Sequence, residues 1–118
     1  MTDDISYLAR EAFCSLTTTG RVSGRPHTIE IWFALSGETV YMLSGAKEQA
    51  DWVKNARRQP EVVVKIKERS IAGRARMVEK PEEDALARQL IGEKYRDAEE
   101  DLDEWLQTAL PVAVDLNA

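Results

Sequence analysis

Leu16-Thr17-Thr18-Thr19-Gly20-Arg21-Val22-Ser23-Gly24-Arg25-Pro26-His27-Thr28-Ile29-Glu30-Ile31-Trp32-Phe33-Ala34-Leu35 carries two β-type runs around one tight turn. Phe13 to Thr19 is rich in β-favouring residues and ends at a glycine. From His27 to Leu35, Ile29, Ile31, Phe33 and Leu35 alternate with Thr28, Glu30, Trp32 and Ala34, which is the period of a strand. The turn Ser36-Gly37-Glu38 then makes a hairpin with Val40 to Leu43.

Downstream, Glu48 to Arg57 reads as an inserted helix with Ala50, Val53 and Ala56 on its inner face, stopped by Pro60. Val62, Val64 and Ile66 mark another strand. Ile71 to Val78 is the next, after a turn at Glu68-Arg69-Ser70. Pro81 opens a helix, with Glu82, Glu83 and Asp84 suited to the positive end of its dipole and Leu86, Leu90 and Ile91 as its apolar stripe. Asp101 to Leu110 reads as a second short helix anchored by Leu102, Trp105 and Leu106, and Pro111 to Val114 as a closing strand. Residues 5–12 suit a helical turn or two. The order implies an α+β fold built on a barrel, and 118 residues suit one domain spanning 1–118.

Composition narrows the function classes. A formal net charge of −5 argues against nonspecific nucleic-acid binding. No apolar run is long enough to span a bilayer, no start resembles a secretory signal, and the one cysteine, Cys14, cannot close an intrachain disulfide. The expectation is a cytoplasmic protein. Charge is uneven, with Lys54 to Arg76 basic and Glu79 to Glu104 acidic, as two solvated faces would be. His27 is the only histidine, so a multi-histidine metal site is excluded, and no nucleophile elbow accompanies it.

Several side chains suit ligand chemistry. Ser44-Gly45-Ala46-Lys47 passes from strand to helix, where free N–H groups, a hydroxyl and a cation suit a phosphate, or where serine is an ordinary cap. Arg21 and Arg25 flank the glycine turn and can clasp phosphate or carboxylate, or merely keep a hairpin soluble. Thr17, Thr18 and Thr19 are good strand residues whose alternate hydroxyls suit the polar edge of a planar ring. Glu30 is costly to bury unpaired, so it is exposed, paired with Arg74 or Arg76, or turned to a ligand or subunit contact. Trp52 either packs in the core or closes over a ring, and Cys14 reads as a small core residue.

Thr17 to Gly24, Ile29 to Phe33, Ala50 to Asn55, Gln59 to Val62 and Thr108 to Val112, in that order and spacing, resemble the deazaflavin-dependent nitroreductases and quinone reductases. These belong to the pyridoxamine-phosphate-oxidase-like, FMN-binding split-barrel superfamily, and the likeness covers roughly Phe13 to Leu116. The resemblance implies a six-stranded antiparallel split β-barrel with an inserted helix and C-terminal helices. It implies a homodimer, a cofactor that is deazaflavin coenzyme F(420) or flavin mononucleotide (FMN), and hydride transfer to an oxidised small molecule such as a quinone. A non-catalytic carrier or sensor on the same barrel is the alternative. The expected cofactor-binding set is Thr18, Thr19, Arg21, His27, Glu30, Trp32, Ser44, Lys47 and Trp52, with Arg21 and Ser44 on the phosphate side and no catalytic side chain designated. Val22 and His27 stand where relatives often carry lysine and arginine, and Glu99 and Leu102 where relatives carry tyrosines.

Overall fold

A computed structural model describes residues 4–97 and 102–117. The strands are β1 (Cys14–Thr19), β2 (Pro26–Ile31), β3 (Ala34–Ser36), β4 (Thr39–Ser44), β5 (Glu61–Ile66), β6 (Arg69–Met77) and β7 (Leu110–Leu116). The helices are α1 (Asp51–Arg58), α2 (Pro81–Lys94) and α3 (Asp103–Thr108), with short 3-10 turns at Ser6–Arg10 and Lys47–Gln49.

All pairings are antiparallel, in the order β2-β1-β5-β6-β7-β4-β3. The two edge strands, β2 and β3, are consecutive in the chain and separated only by Trp32 and Phe33. Three Cα–Cα steps span at most ~11 Å, so the edges are joined directly and the sheet curls back on itself. That is the split barrel expected from the sequence, with an α+β composition and seven strands in place of six.

The extra strand comes from a break in the run His27 to Leu35. At Phe33 the backbone leaves the ladder. Its N–H donates to the Tyr95 hydroxyl (3.1 Å), and its carbonyl accepts from the Lys94 ammonium (2.9 Å). The Tyr95 hydroxyl in turn donates to the Ala12 carbonyl at 2.7 Å. The end of α2 thus supplies the partners that a neighbouring strand would otherwise supply.

The alternation survives the break. Ile29, Ile31, Phe33 and Leu35 pack with the barrel interior, which includes Leu16, Val40, Met42, Val64, Ile66 and Val114. Trp32 and Ala34 face a second cluster under α2 and α3, built from Tyr41, Leu43, Ile91, Tyr95, Ala113 and Trp105. Trp32 stacks on Tyr95 with ring centroids 4.2 Å apart and meets Trp105 edge-on at 5.9 Å. β4 and β7 are buried on both faces because one faces the barrel and the other the helices.

The predicted helix Glu48 to Arg57 begins three residues late, at Asp51. Lys47 takes a left-handed backbone (φ 56°), and Ala50 is extended, so the chain cannot helix continuously from Ser44. The second short helix is also shorter than Asp101 to Leu110, covering Asp103–Thr108, and Leu110 joins the final strand. Asp101 lies outside the described residues, as does Glu99. Leu102 packs against the second cluster. Among the described residues no helix is long and apolar enough to cross a membrane.

Candidate functional site

A cleft of about 500 Å³ opens between the β1–β2 turn and α1. The turn closes through Gly20 N–H to the Arg25 carbonyl (2.8 Å) and Gly24 N–H to the Gly20 carbonyl (2.9 Å). Gly24 sits at φ 72°, a conformation open to glycine without strain. Gly20 carries no side chain for a second reason: a Cβ there would stand 2.6 Å from His27 Nε2 and 2.7 Å from Ser23 Oγ. The imidazole therefore lies down on the turn, with Ser23 Oγ 3.4 Å from Nε2.

Register fixes which residues face the cleft. Thr18 pairs with His27, and Leu16 with Ile29, on the inner face of β1 and β2. Thr19 pairs with Pro26 and Thr17 with Thr28 on the alternate face, where the Thr17 and Thr28 hydroxyls bond at 2.8 Å, although Thr28 also borders the cleft. One threonine of the three, Thr18, is thus buried and turned inward (2% exposed). It lines the cleft with Arg21, His27, Ile29, Trp52 and Asn55.

Asn55 is the joint of this site. It is 3% exposed, one turn along α1 from Asp51. Its Oδ1 accepts from the Arg21 guanidinium (2.8 Å) and from the Arg21 backbone N–H (3.1 Å), and its Nδ2 donates to Thr18 Oγ1 (3.3 Å). Strand, turn and helix meet at that one amide. Arg21 Nη2 also reaches Asp51 Oδ1 at 3.2 Å. The arginine is held in place by two groups while about a third of its side chain stays exposed. A guanidinium so fixed presents remaining N–H donors to an anion with little ordering cost. Trp52 and Ile29 add apolar wall for a planar ring.

Four residues of the expected set thus gather here: Thr18, Arg21, His27 and Trp52. The other five are placed elsewhere. Thr19 is half-buried on the far side of β1. Glu30 is exposed opposite Ser15, beside Lys65 and Lys67. It is not paired with either arginine proposed for it, because Arg74 bonds Glu61 (2.7 Å) and Arg76 bonds Glu83 and Asp115. Trp32 is committed to the Tyr95 stack. Ser44 is buried, its hydroxyl donating to the Lys47 carbonyl at 3.0 Å, and Lys47 opens a 3-10 turn, not α1. Neither lines the cleft. Asp51 and Asn55 lie outside the set expected from the sequence, although the spacing 51, 52, 55 puts both near Trp52 on α1.

A second cleft, about 730 Å³, lies between β6 and α2 and is lined by Tyr41, Arg76, Glu83 and Leu86 among others. Its central charges are mutually satisfied. Arg76 bonds both Glu83 oxygens (2.6 and 2.7 Å) and Asp115 (2.7 Å), and the Tyr41 hydroxyl donates to Glu83 at 2.7 Å. The Arg76 bonds, then that of Tyr41, hold the Glu83 carboxyl down at about 2. Burial, then the bond to Glu83, pushes Tyr41 up to about 12. These groups brace β4, β6, β7 and α2 together. At the start of β1, burial raises the Cys14 thiol to about 12, which keeps it protonated and unreactive. Among the described residues, no group of three histidine, cysteine, aspartate or glutamate side chains could hold a metal ion.

Comparison with known proteins bears on the fold and the family. The fold superimposes on a conserved hypothetical protein of Mycobacterium tuberculosis with a TM-score of 0.77 at 20% identity, covering 100% of this chain and 83% of the other. It matches a structure described as an F(420) reductase with a TM-score of 0.70 at 16% identity, covering 100% and 97%. It also matches HutZ, the heme storage protein of Vibrio cholerae, at 0.71 and 19% identity, covering 97% and 88%. At such identities these neighbours establish the fold alone. No curated protein matches the sequence. The family model described as F420H(2)-dependent quinone reductase matches residues 6–117, nearly the whole chain. By that match this chain belongs to the F420H(2)-dependent quinone reductase family.

Proposed function

We propose that this protein is an oxidoreductase that holds F(420) or FMN in the Arg21–Asn55 cleft and passes a hydride to an oxidised organic acceptor such as a quinone. The observation that carries the reading is the Arg21 guanidinium, fixed by Asn55 in a cleft that Trp52 and Ile29 also line. A cation for an anionic tail and an indole with an aliphatic side chain for a ring are the donor set that either cofactor requires. The family supports an oxidoreductase of this kind.

The cofactor, when bound, supplies the hydride. The chain's own residues bind and orient. Arg21 takes the anionic tail, Thr18 and the β1–β2 backbone face the polar edge, and Trp52 covers a ring face. Thr18 Oγ1 already accepts from Asn55, which leaves its O–H to donate. Reduction of a quinone to a hydroquinone needs one hydride and one proton. Asp51 is the only carboxylate lining the cleft and is paired with Arg21, so the reading takes the proton from water. The reading also includes a homodimer, which sedimentation velocity would test.

Titration of the purified protein with reduced F(420) and with FMN, followed by quenching of Trp52 fluorescence against a W52F reference, should show saturable binding at one cofactor per chain. Turnover with a quinone should follow. Binding without transfer to any quinone would reduce the protein to a carrier. No saturable binding of either cofactor would remove the reading.

A further inference from the structure

We infer that Asp51 is a built-in competitor for the anion site on Arg21, setting how strongly that site discriminates for the charge of a ligand's tail. The inference rests on the cofactor reading of the cleft and adds to it a residue that weakens binding. Arg21 presents Nη1 to Asn55 and Nη2 to Asp51 Oδ1 (3.2 Å). Asn55 is neutral, buried and bonded on both of its ends, so it positions Arg21 without consuming its charge. Asp51 is different. Its side chain is 84% exposed against 32% for Arg21, and it bonds through one oxygen only.

An exposed single-contact ion pair is worth little to folding. Its carboxylate nevertheless lines the same cleft as Arg21 and occupies Nη2, so it offsets the charge that would attract a tail phosphate. Among the cleft-lining residues the only arginine is Arg21 and the only carboxylate is Asp51. The formal charges of Arg21 and Asp51 in the cleft cancel. An incoming phosphate must displace Asp51 or share Arg21 with it. Sharing puts two anions on one guanidinium, roughly 5 Å apart. Coulomb repulsion at that distance in a water-like medium corresponds to about a three- to tenfold weaker dissociation constant. The penalty grows with tail charge and shrinks with salt.

Asp51 also occupies the first turn of α1, where a carboxylate favours the helix dipole. A residue acting only there would change stability on substitution and leave affinity alone, or lower it. The competitor role predicts the reverse for affinity.

The test is a titration of wild type, D51N and D51E with FMN and with riboflavin, which lacks the phosphate. E61Q removes the same charge from the outer face, where Glu61 pairs with Arg74. D51N should bind FMN three- to tenfold more tightly, with riboflavin unchanged, D51E near wild type, E61Q well below D51N in effect, and the gain shrinking at 0.5 M salt. Equal FMN affinity in wild type and D51N, or an equal gain for riboflavin, overturns the inference while leaving the cofactor reading standing. If no flavin binds any of the proteins, the cofactor reading has failed, and inorganic pyrophosphate decides the inference separately. Read by the NMR shift of the Arg21 Nε–H, pyrophosphate should bind more tightly to D51N, and an unchanged dissociation constant overturns it.

Discussion

Asn55→Ala removes the amide at which strand, turn and helix meet. Three hydrogen bonds go with it: two from Arg21 at 2.8 and 3.1 Å and one to Thr18 at 3.3 Å. A neutral bond contributes about 1 kcal/mol, and one from a charged donor about 1.5–3. Arg21 is partly exposed and recovers water, which favours the low end, whereas Thr18 is 2% exposed and loses a donor that water replaces less readily. The expected cost is about 2–4 kcal/mol. A domain of this size has roughly 5–15 kcal/mol in total, so the variant still folds. Its Tm should fall by about 8–16 °C. Denaturant unfolding gives the free energy, and FMN or F(420) titration gives affinity on the same sample. Asn55→Asp separates the two readouts. Its second oxygen can accept from the Thr18 hydroxyl, so stability should stay within about 1 kcal/mol of wild type. The added negative charge beside Arg21 should weaken cofactor binding by about tenfold. An Asn55→Ala protein less than about 0.5 kcal/mol below wild type, with unchanged cofactor affinity, would show that the amide organises nothing.

Other expectations follow from the fold. Glu83 is held at about 2 by Arg76, against an ordinary value of 4.5. A carboxyl lowered in the folded state adds stability above its unfolded value, and that stability is lost as pH falls from about 4.5 toward 2. Unfolding midpoints across this window should drop more steeply in wild type than in E83Q, and superimposable profiles would refute the coupling. Gly73 lies where β6 crosses β7, and a Cβ there would meet Val114 Cγ1 at 2.8 Å and the Asp115 carbonyl at 2.9 Å. Since backbone cannot move aside cheaply, G73A should lose about 1–3 kcal/mol by denaturant unfolding. Tyr95→Phe strips the hydroxyl that accepts from Phe33 N–H and donates to Ala12. It should cost about 2–4 kcal/mol, measured the same way, with cofactor affinity little changed because Tyr95 lies outside the cleft.

Much of this architecture was legible in the sequence because it depends on local period and turn chemistry. Ile29, Ile31, Phe33 and Leu35 announced one buried face, and Pro81 with three acidic residues announced the start of α2. The break between β2 and β3 was not legible, because its cause lies about sixty residues away at Lys94 and Tyr95. The same reason hid Asn55, whose partners Thr18 and Arg21 are 37 and 34 positions distant. At Ser44 to Lys47 the reading of a helix start rested on a serine followed by glycine. The left-handed turn at Lys47 has no marker, since lysine is not a residue that favours positive φ. Arg21 was legible as an anion ligand from its place beside a glycine turn, but its restraint by Asp51 was not, because opposite charges thirty residues apart declare no contact until the fold brings them together.

The central claim is that the cofactor's anionic tail rests on Arg21, inside the cleft walled by Trp52. Two-dimensional NMR of labelled protein titrated with FMN or F(420) maps that contact residue by residue. The account predicts the largest shifts at the Arg21 Nε–H, the Asn55 side-chain amide, the Trp52 indole N–H and the Thr18 backbone. Shifts centred instead on Tyr41, Arg76 and Glu83, with Arg21 and Trp52 unmoved, would contradict it.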